Sequence, residues 1–148
     1  MNAPLLKLEE FLPYRLSVLS NQVSQGIALT YAERFGLSVT EWRVIAILGR
    51  FPAIPASQVV ERSAMDKVAI SRAVRRLIEA GLVLRQSDHS DRRAKPLRLS
   101  EAGQGVHAAI APAALDYERR LLAALSPRER TALNALLDKL EAVSRPRP

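Results

Sequence analysis

Basic and hydroxyl side chains recur between positions 67 and 76 at spacings that place them on one face of a helix. The segment KVAISRAVRR carries Lys67, Val68, Ser71, Arg72 and Arg75, which would be neighbours on a helix surface. Guanidinium groups form bidentate hydrogen bonds with phosphate oxygens and with the acceptor edge of guanine. The pattern predicts a helix whose basic face binds duplex DNA. The opposite, buried stripe of this helix is formed by Ile70, Val74, Leu77 and Ile78.

Side chains suited to base edges lie in the first turns of this helix, the part of a recognition helix that meets the bases. Arg72 could bind a guanine bidentately, and Ser71 could bond either a base or a phosphate. The apolar Val68 and Ala69 could touch a thymine methyl group. Arg75 and Arg76 lie further along the chain.

Residues deeper in such a helix meet the DNA backbone, so we assign Arg75 and Arg76 to phosphate contacts. For Arg76 a second interpretation is equally open, namely a salt bridge to a neighbouring helix. Gly81 is a natural end for the helix.

A charged loop at 86–95 joins two short candidate strands, LVLR at 82–85 and PLRLS at 96–100. Within the loop, Asp91 precedes Arg93 by two residues, a spacing at which the carboxylate could hold the guanidinium in one orientation. An ordered arginine suits the narrow and strongly negative minor groove, and Arg92 could serve in either position. The alternative is a solvated loop without a ligand, which is the common state of charged hairpin loops.

The elements that position these side chains are mostly helices. Apolar residues at helical spacing predict a helix from Pro13 to Gly36, and capping boxes predict helix starts at Ser38 and Ser126. A long segment from 101 to about 125, rich in Ala and Leu, is also helical and contains Pro112.

The order of the elements predicts the fold class. A short helix at SQVVERS precedes the basic helix, and the two candidate strands follow it. The chain should therefore be mainly α with a small two-stranded β wing. We predict a single domain over 1–148, in which a winged helix-turn-helix at 37–100 is flanked by dimerisation helices at 5–36 and 101–144.

Positive charge is concentrated in the middle of the chain. The 148 residues contain 22 Lys plus Arg and 15 Asp plus Glu, a formal net charge of +7. Between Glu61 and Arg98 there are ten basic and five acidic residues, so this quarter of the chain carries +5 of the total. A basic stripe of this kind attracts polyanions. An ordinary solvated surface is the alternative interpretation.

Composition argues against several classes of protein and site. Zero cysteines exclude disulfides and thiolate metal sites, and 48% hydrophobic residues argue against disorder. Only His89 and His107 could supply imidazole ligands, and they lie in different elements. We expect no metal, no cofactor and no enzymatic activity, because phosphate loops and nucleophile elbows are also lacking. A cytoplasmic protein, associated with the nucleoid through its DNA site, is the simplest expectation.

Apolar faces on the helices at both ends of the chain predict a homodimer. One small domain has little interior left in which to bury both sets of helices. Pairing with a second copy would cover them and would set two DNA-binding helices about one turn of DNA apart. The alternative is that the terminal helices pack only on their own domain.

The chain resembles the MarR (multiple antibiotic resistance regulator) family over essentially its whole length. The resemblance is carried by LSVTEWRVIAIL at 37–48, MDKVAISRAVRRLIEAGLV at 65–83 and SDRRAKPLRLSEAG at 90–103. It implies a homodimer that binds a pseudopalindromic operator, commonly as a repressor released by a small, often aromatic, ligand. It also implies that Asp91 and Arg93 form the orienting acid and minor-groove arginine of the wing. The residues implied to line the major groove are Lys67, Val68, Ala69, Ser71 and Arg72.

The same resemblance implies an effector pocket between the dimerisation helices and the DNA-binding lobe. Tyr14, Arg15 and Trp42 lie on the corresponding elements, and a buried arginine beside aromatic rings could hold an organic carboxylate. Alternatives remain for two of them. Trp42 at helical spacing with Ile45 could be part of the core, and Arg15 could bridge to an acid across the dimer.

Three functions are considered for this sequence. The first is a ligand-responsive, sequence-specific regulator of transcription, and the second is an architectural winged-helix protein that binds DNA without operator preference or effector. The third is an enzyme, which the missing catalytic motifs disfavour. The ratio of specific to non-specific DNA affinity distinguishes the first two.

Overall fold

A computed structural model of the chain describes residues 3–86 and 95–146. In the described part of the chain a 3-10 turn at Leu8–Glu10 precedes seven helices and two strands. The elements are α1 (Leu12–Ala28), α2 (Ala32–Phe35), α3 (Val39–Arg50), α4 (Ala56–Ser63), α5 (Lys67–Glu79), β1 (Val83–Arg85), β2 (Leu97–Leu99), α6 (Glu101–Leu122) and α7 (Pro127–Ser144). The predicted fold class, mainly α with a small two-stranded sheet, is confirmed.

The chain forms two compact units, Met1–Ala113 and Ala114–Pro148. The core of the first unit lies where α3, α4 and α5 meet. Its fully buried side chains include Val44, Ile45, Leu48, Val59, Ile70 and Leu77. These residues recur every three or four positions along each helix, so each helix buries one apolar stripe and leaves its other face to solvent.

Helix α5 buries the stripe that its sequence predicts. Ile70, Val74 and Leu77 are buried, while Ile78 is only partly buried. Ala73, which the pattern did not single out, is also fully buried. A methyl group is small enough to allow close helix packing at that position.

The sheet lies at the end of the helix-turn-helix. Strands β1 and β2 pair antiparallel, with Val83 opposite Leu99 and Arg85 opposite Leu97. Ile54 adds an isolated bridge to Leu97 through two backbone hydrogen bonds of 3.3 and 2.8 Å. Side chains alternate across the sheet, so Leu97 and Leu99 are buried while Arg98 between them is exposed. The two strands predicted from the sequence are confirmed.

Both predicted capping boxes are present. Ser38 Oγ accepts the Glu41 N–H at 3.1 Å, and Glu41 Oε1 accepts the Ser38 N–H at 3.4 Å. In the second unit Ser126 and Glu129 make the same reciprocal pair. Each box is formed by residues three positions apart, so it can be recognised in the sequence.

The single helix predicted from Pro13 to Gly36 is wrong, because the chain breaks between α1 and α2 at 29–31. Thr30 Oγ1 donates to the Ile27 carbonyl at 2.6 Å. The N–H groups of Thr30 and Tyr31 bond carbonyls three residues earlier instead of four, which tightens the turn. The predicted end of the segment is correct, since Gly36 caps α2 with φ +64°.

A network around Ser100 joins the start of α6 to the end of α5. The Ser100 N–H donates to the Leu82 carbonyl at 2.9 Å, and Ser100 Oγ accepts the Gly103 N–H at 3.0 Å and donates to the Gly81 carbonyl. A Cβ atom on Gly103 would lie well inside contact distance of the Leu82 carbonyl oxygen. Only glycine allows this approach of α6 to the turn after α5.

The second unit consists of the end of α6, the helix α7 and the turn between them. Arg130 Nε donates to the Leu122 carbonyl at 3.0 Å and so satisfies a carbonyl at the end of α6. Asp116 pairs with Arg119 at 2.9 Å and with Arg120 at 3.3 Å. Pro112 does not end α6, which continues to Leu122.

No helix within residues 3–86 and 95–146 combines the length and the apolar character needed to cross a bilayer.

Candidate nucleic-acid interface

The turn between α4 and α5 sets the direction of the basic helix. Ser63 ends α4, Ala64 adopts a left-handed conformation with φ 54°, and Asp66 caps α5 by accepting the Ala69 N–H at 3.0 Å. Ser63 Oγ accepts the Met65 N–H at 3.1 Å and donates to the Val60 carbonyl at 2.7 Å. Short polar side chains therefore supply the hydrogen bonds that the two helix ends lack.

The exposed face of α5 forms a groove of about 490 Å³. The residues that line it are Lys67, Val68, Ser71, Arg72 and Arg75. The structure thus brings together five of the seven recognition-helix residues named from the sequence. Val68 is 54% exposed, so an apolar side chain stands among cationic and hydroxyl groups, as recognition of a thymine methyl requires.

The two remaining recognition-helix candidates lie outside this groove. Ala69 is partly buried, and its N–H is bonded to Asp66. Arg76 Nε lies 3.7 Å from Glu41 Oε1, with side-chain exposures of 55% and 15%. The structure therefore contains the salt bridge that was the second interpretation of Arg76.

The charge of the groove is available to an anion. Within the described ranges, Lys67, Arg72 and Arg75 form no ion pair with a carboxylate. A ligand of opposite charge would relieve the repulsion among these three cationic side chains. A groove with these donors and an apolar edge fits the phosphates and base edges of duplex DNA.

The strands β1 and β2 carry the predicted wing. Arg85 and Arg98 are exposed on them, which extends positive charge beyond α5. Asp91, Arg92, Arg93 and the nearby His89 lie outside the described residues, so their proposed roles stay predictions.

Tyr14 and Arg15 lie together on α1, where they line an open groove of about 420 Å³. The other lining residues also come from α1: Leu12, Leu16, Val18, Leu19 and Gln22. Trp42 does not line this groove. The three effector-site candidates are therefore divided between two places.

Trp42 packs on the core of the first unit, in agreement with the alternative stated for it. Its ring centroid lies 5.6 Å from that of Tyr31 and 5.9 Å from that of His107. An added Cβ on Gly49 would overlap the His107 imidazole, so this glycine makes room for the ring. Sequence spacing did not group these three rings, because they come from two helices, α3 and α6, and from the α1–α2 junction.

Tyr31 is 1% exposed, and burial raises the pKa of its hydroxyl. The positive charge of Arg43 acts on that pKa in the opposite direction. Arg43 donates from Nη1 to the Ser63 carbonyl at 2.9 Å. No sequence signal distinguished Arg43 from the other residues of α3.

The described residues contain no group of three or more His, Asp or Glu side chains able to hold a metal ion.

Comparisons with known proteins agree with this geometry. A sequence profile of the MarR family matches residues 35–94. The regulator PecS of Dickeya dadantii, an HTH-type transcriptional regulator, is 29% identical over 111 residues, which are 73% of this chain and 67% of PecS.

Solved structures extend the likeness to nearly the whole chain. A MarR/EmrR family regulator from Acinetobacter sp. ADP1 is 26% identical, with a TM-score of 0.84. The match covers 93% of this chain and 96% of the Acinetobacter chain. A "probable transcriptional regulator" from Pseudomonas aeruginosa is 32% identical with a TM-score of 0.68, covering 88% and 99%. This chain belongs to the MarR family of DNA-binding, winged helix-turn-helix transcriptional regulators.

Proposed function

We propose that this protein is a homodimeric, ligand-responsive repressor that binds a pseudopalindromic operator. The observation that carries the proposal is the exposed groove of α5, which combines Lys67, Arg72 and Arg75 with Ser71 and the apolar Val68. Cations alone would suffice for non-specific binding to phosphates. The hydroxyl and the exposed apolar side chain add contacts that only particular base edges satisfy.

Apolar surface on the terminal helices supports the homodimer. Leu12, Leu16 and Leu19 are exposed on α1, and α7 of the second unit separately exposes Leu133, Leu136, Leu137 and Leu140. Apolar patches of this kind are typical of protein interfaces. Two copies related by a two-fold axis would present two α5 helices to successive major grooves.

The groove on α1 supports a site for an organic acid at this interface. Tyr14 offers an aromatic ring and Arg15 a guanidinium, a pair that suits an aromatic carboxylate. Every lining residue comes from the same helix, so a second wall from the partner copy would be needed to enclose a ligand. In our proposal the effector acts by changing the spacing of the two α5 helices.

Proteins of the same fold support an aromatic acid as the class of effector. The DNA binding of Bordetella bronchiseptica BpsR, 22% identical with a TM-score of 0.79, is regulated by 6-hydroxynicotinic acid. NadR, 17% identical with a TM-score of 0.77, has been solved in complex with 4-hydroxyphenylacetate. Repression is supported by Rv2887 of Mycobacterium tuberculosis, a transcriptional repressor 24% identical over 131 residues.

The experiment that tests the proposal is selection of genomic DNA fragments by the purified protein at near-physiological salt, followed by footprinting of the enriched fragment. We expect one protected pseudopalindrome with half-sites about one helical turn apart. Enrichment of no particular sequence would instead favour the architectural function. Protection of a single half-site by a monomer would contradict the homodimer.

Two substitutions test the assigned DNA contacts on the selected operator. Arg72→Ala should relax the preference for one base pair and cost roughly 1–3 kcal/mol if Arg72 binds a guanine. Arg93→Ala should weaken binding and remove any preference for a narrow minor groove. If both variants bind the operator as the parent protein does, the assigned surface is wrong.

The effector is tested by reciprocity. An aromatic acid that releases the operator must bind more weakly to the DNA-bound protein than to the free protein, by the same factor. Calorimetric titration with and without operator measures that factor. Arg15→Ala should abolish the effect of the acid on DNA binding, whereas Arg34→Ala on α2, which also removes one exposed arginine, should leave it intact.

A further inference from the structure

We infer that Arg43 of α3 is a positioning residue that fixes the orientation of the recognition helix α5 by holding the carbonyl of Ser63. The inference rests on the proposed function in one respect, since operator affinity is one of its readouts. Arg43 contacts the turn that precedes α5 and acts on DNA only through that helix.

The contact joins α3 to the last residue of α4. Arg43 Nη1 donates to Ser63 O at 2.9 Å, across 20 positions of sequence. Ser63 is the last residue of α4 and is 0% exposed. Carbonyls at a helix end lack partners within the helix and carry the negative end of its dipole. A cationic donor stabilises such a carbonyl more strongly than a neutral one.

The turn that Arg43 holds needs support from outside. Ala64 has φ 54° and is the only described non-glycine residue with a positive φ. A side chain with a Cβ atom disfavours this conformation, which persists where surrounding contacts impose it. Hydrogen bonds of Ser63 Oγ to Val60 and Met65 supply part of that support, and Arg43 supplies the contact from another helix.

A second contact from α3 holds α5 near its other end. Glu41, two residues before Arg43, forms an ion pair with Arg76, with 3.7 Å between Glu41 Oε1 and Arg76 Nε. The same Glu41 side chain accepts the Ser38 N–H in the capping box. From Lys67 to Arg76 the helix rises about 13 Å. Rotation by about 10° around the Arg76 end would therefore move the first turn by roughly 2 Å. Recognition side chains must stay within about 0.5 Å of their productive positions.

Arg43 has a different role from the arginines proposed to contact DNA. It is partly buried, its guanidinium is committed to the Ser63 carbonyl, and its charge also acts on the buried Tyr31 hydroxyl. A residue that positions α5 should change how well the helix fits its operator. It should leave the number of phosphates neutralised by the protein unchanged.

The test compares Arg43→Ala and Arg43→Lys with two controls, Arg75→Ala on the exposed face of α5 and Arg50→Ala, which removes an exposed arginine from the same helix as Arg43. Each protein is titrated with the selected operator and with a scrambled duplex of equal length, between about 50 and about 200 mM salt. Amide hydrogen exchange of residues 64–71 is measured without DNA.

For Arg43→Ala we expect operator affinity to fall by about tenfold or more, with the affinity for scrambled DNA and the salt slope unchanged. Met65 and Ala69, whose N–H groups bond within the turn, should exchange faster. Arg43→Lys keeps the positive charge and an N–H donor group, so it should recover part of both effects. It also serves as the test variant if Arg43→Ala does not fold.

Several results would overturn the inference. A salt slope lowered as in Arg75→Ala would make Arg43 a phosphate contact, and unchanged operator affinity in a folded variant would remove its role. If the parent protein prefers no sequence, the proposed function fails. In that case hydrogen exchange decides the inference alone, because unchanged protection at Met65 and Ala69 would refute positioning and faster exchange would support it.

Discussion

Replacing Arg75 with alanine removes one exposed guanidinium from the groove of α5 and leaves the buried stripe of that helix intact. Within the described ranges the Arg75 side chain forms no ion pair, so its whole charge is available to a DNA phosphate. Binding of a cationic side chain to a phosphate releases counterions from the DNA. The logarithm of the binding constant therefore falls with the logarithm of salt concentration by about 0.9 for each phosphate neutralised.

The size of the effect follows from the symmetry of the proposed dimer. One Arg75 in each half-site makes two phosphate contacts, so Arg75→Ala should make the salt slope shallower by about 1.8. Between about 50 and about 200 mM salt, a fourfold range, this amounts to roughly a 12-fold smaller loss of operator affinity than in the parent protein. Fluorescence anisotropy with a labelled operator at five or six salt concentrations measures both slopes.

Arg76→Ala is the matched control, because Arg76 is adjacent in sequence but pairs with Glu41. We expect its slope to change less than that of Arg75→Ala, since part of its charge is already offset within the protein. An unchanged slope in Arg75→Ala would refute the assignment of this residue to phosphate. A change of about 0.9 would indicate one bound protomer and contradict the homodimer.

Three further predictions concern the stability of the first unit. Gly103→Ala should lower the free energy of unfolding in urea by about 1–3 kcal/mol, because the new Cβ overlaps the Leu82 carbonyl oxygen; equal midpoints would refute this contact. Stability should decrease as pH rises above 10.0, since burial raises the pKa of Tyr31 and the folded state therefore keeps that proton more tightly. Tyr31→Phe has no hydroxyl to ionise, so its free energy of unfolding in urea should decrease less over the same pH range. If the variant and the parent protein show the same pH dependence, Tyr31 is not the group responsible. Ser38→Ala removes the hydrogen bond to the Glu41 N–H and should cost about 1 kcal/mol by the same assay, whereas no change would show that the cap contributes nothing.

Short-range features of this protein were predictable from sequence. The buried stripe of α5 follows from apolar residues three and four positions apart, and both capping boxes follow from a Ser–Glu pair three positions apart. The two short strands also lie on either side of the charged loop, as the sequence predicted. For the helix stripe and the caps, the pattern repeats within three or four positions, so residue type and spacing are sufficient information.

The break between α1 and α2 shows where periodicity misleads. Apolar residues continue at helical spacing through Tyr31, yet the Thr30 hydroxyl bonds the Ile27 carbonyl and the backbone tightens. A threonine hydroxyl offers the backbone a bond that competes with the helical one. Its presence alone does not say which bond wins, because that depends on how Tyr31 packs in the core.

The sequence by itself determined the amphipathic helices, their caps and the cationic face of α5, because these depend on backbone geometry and on neighbours within about four residues. Only the tertiary structure decided which side chains meet across elements. Trp42 lies between Tyr31 and His107 and apart from Tyr14 and Arg15, and Arg43 reaches the Ser63 carbonyl across 20 positions. Periodicity defines the face of a helix that is buried. The partner of each side chain on that face is set by how whole helices pack against one another.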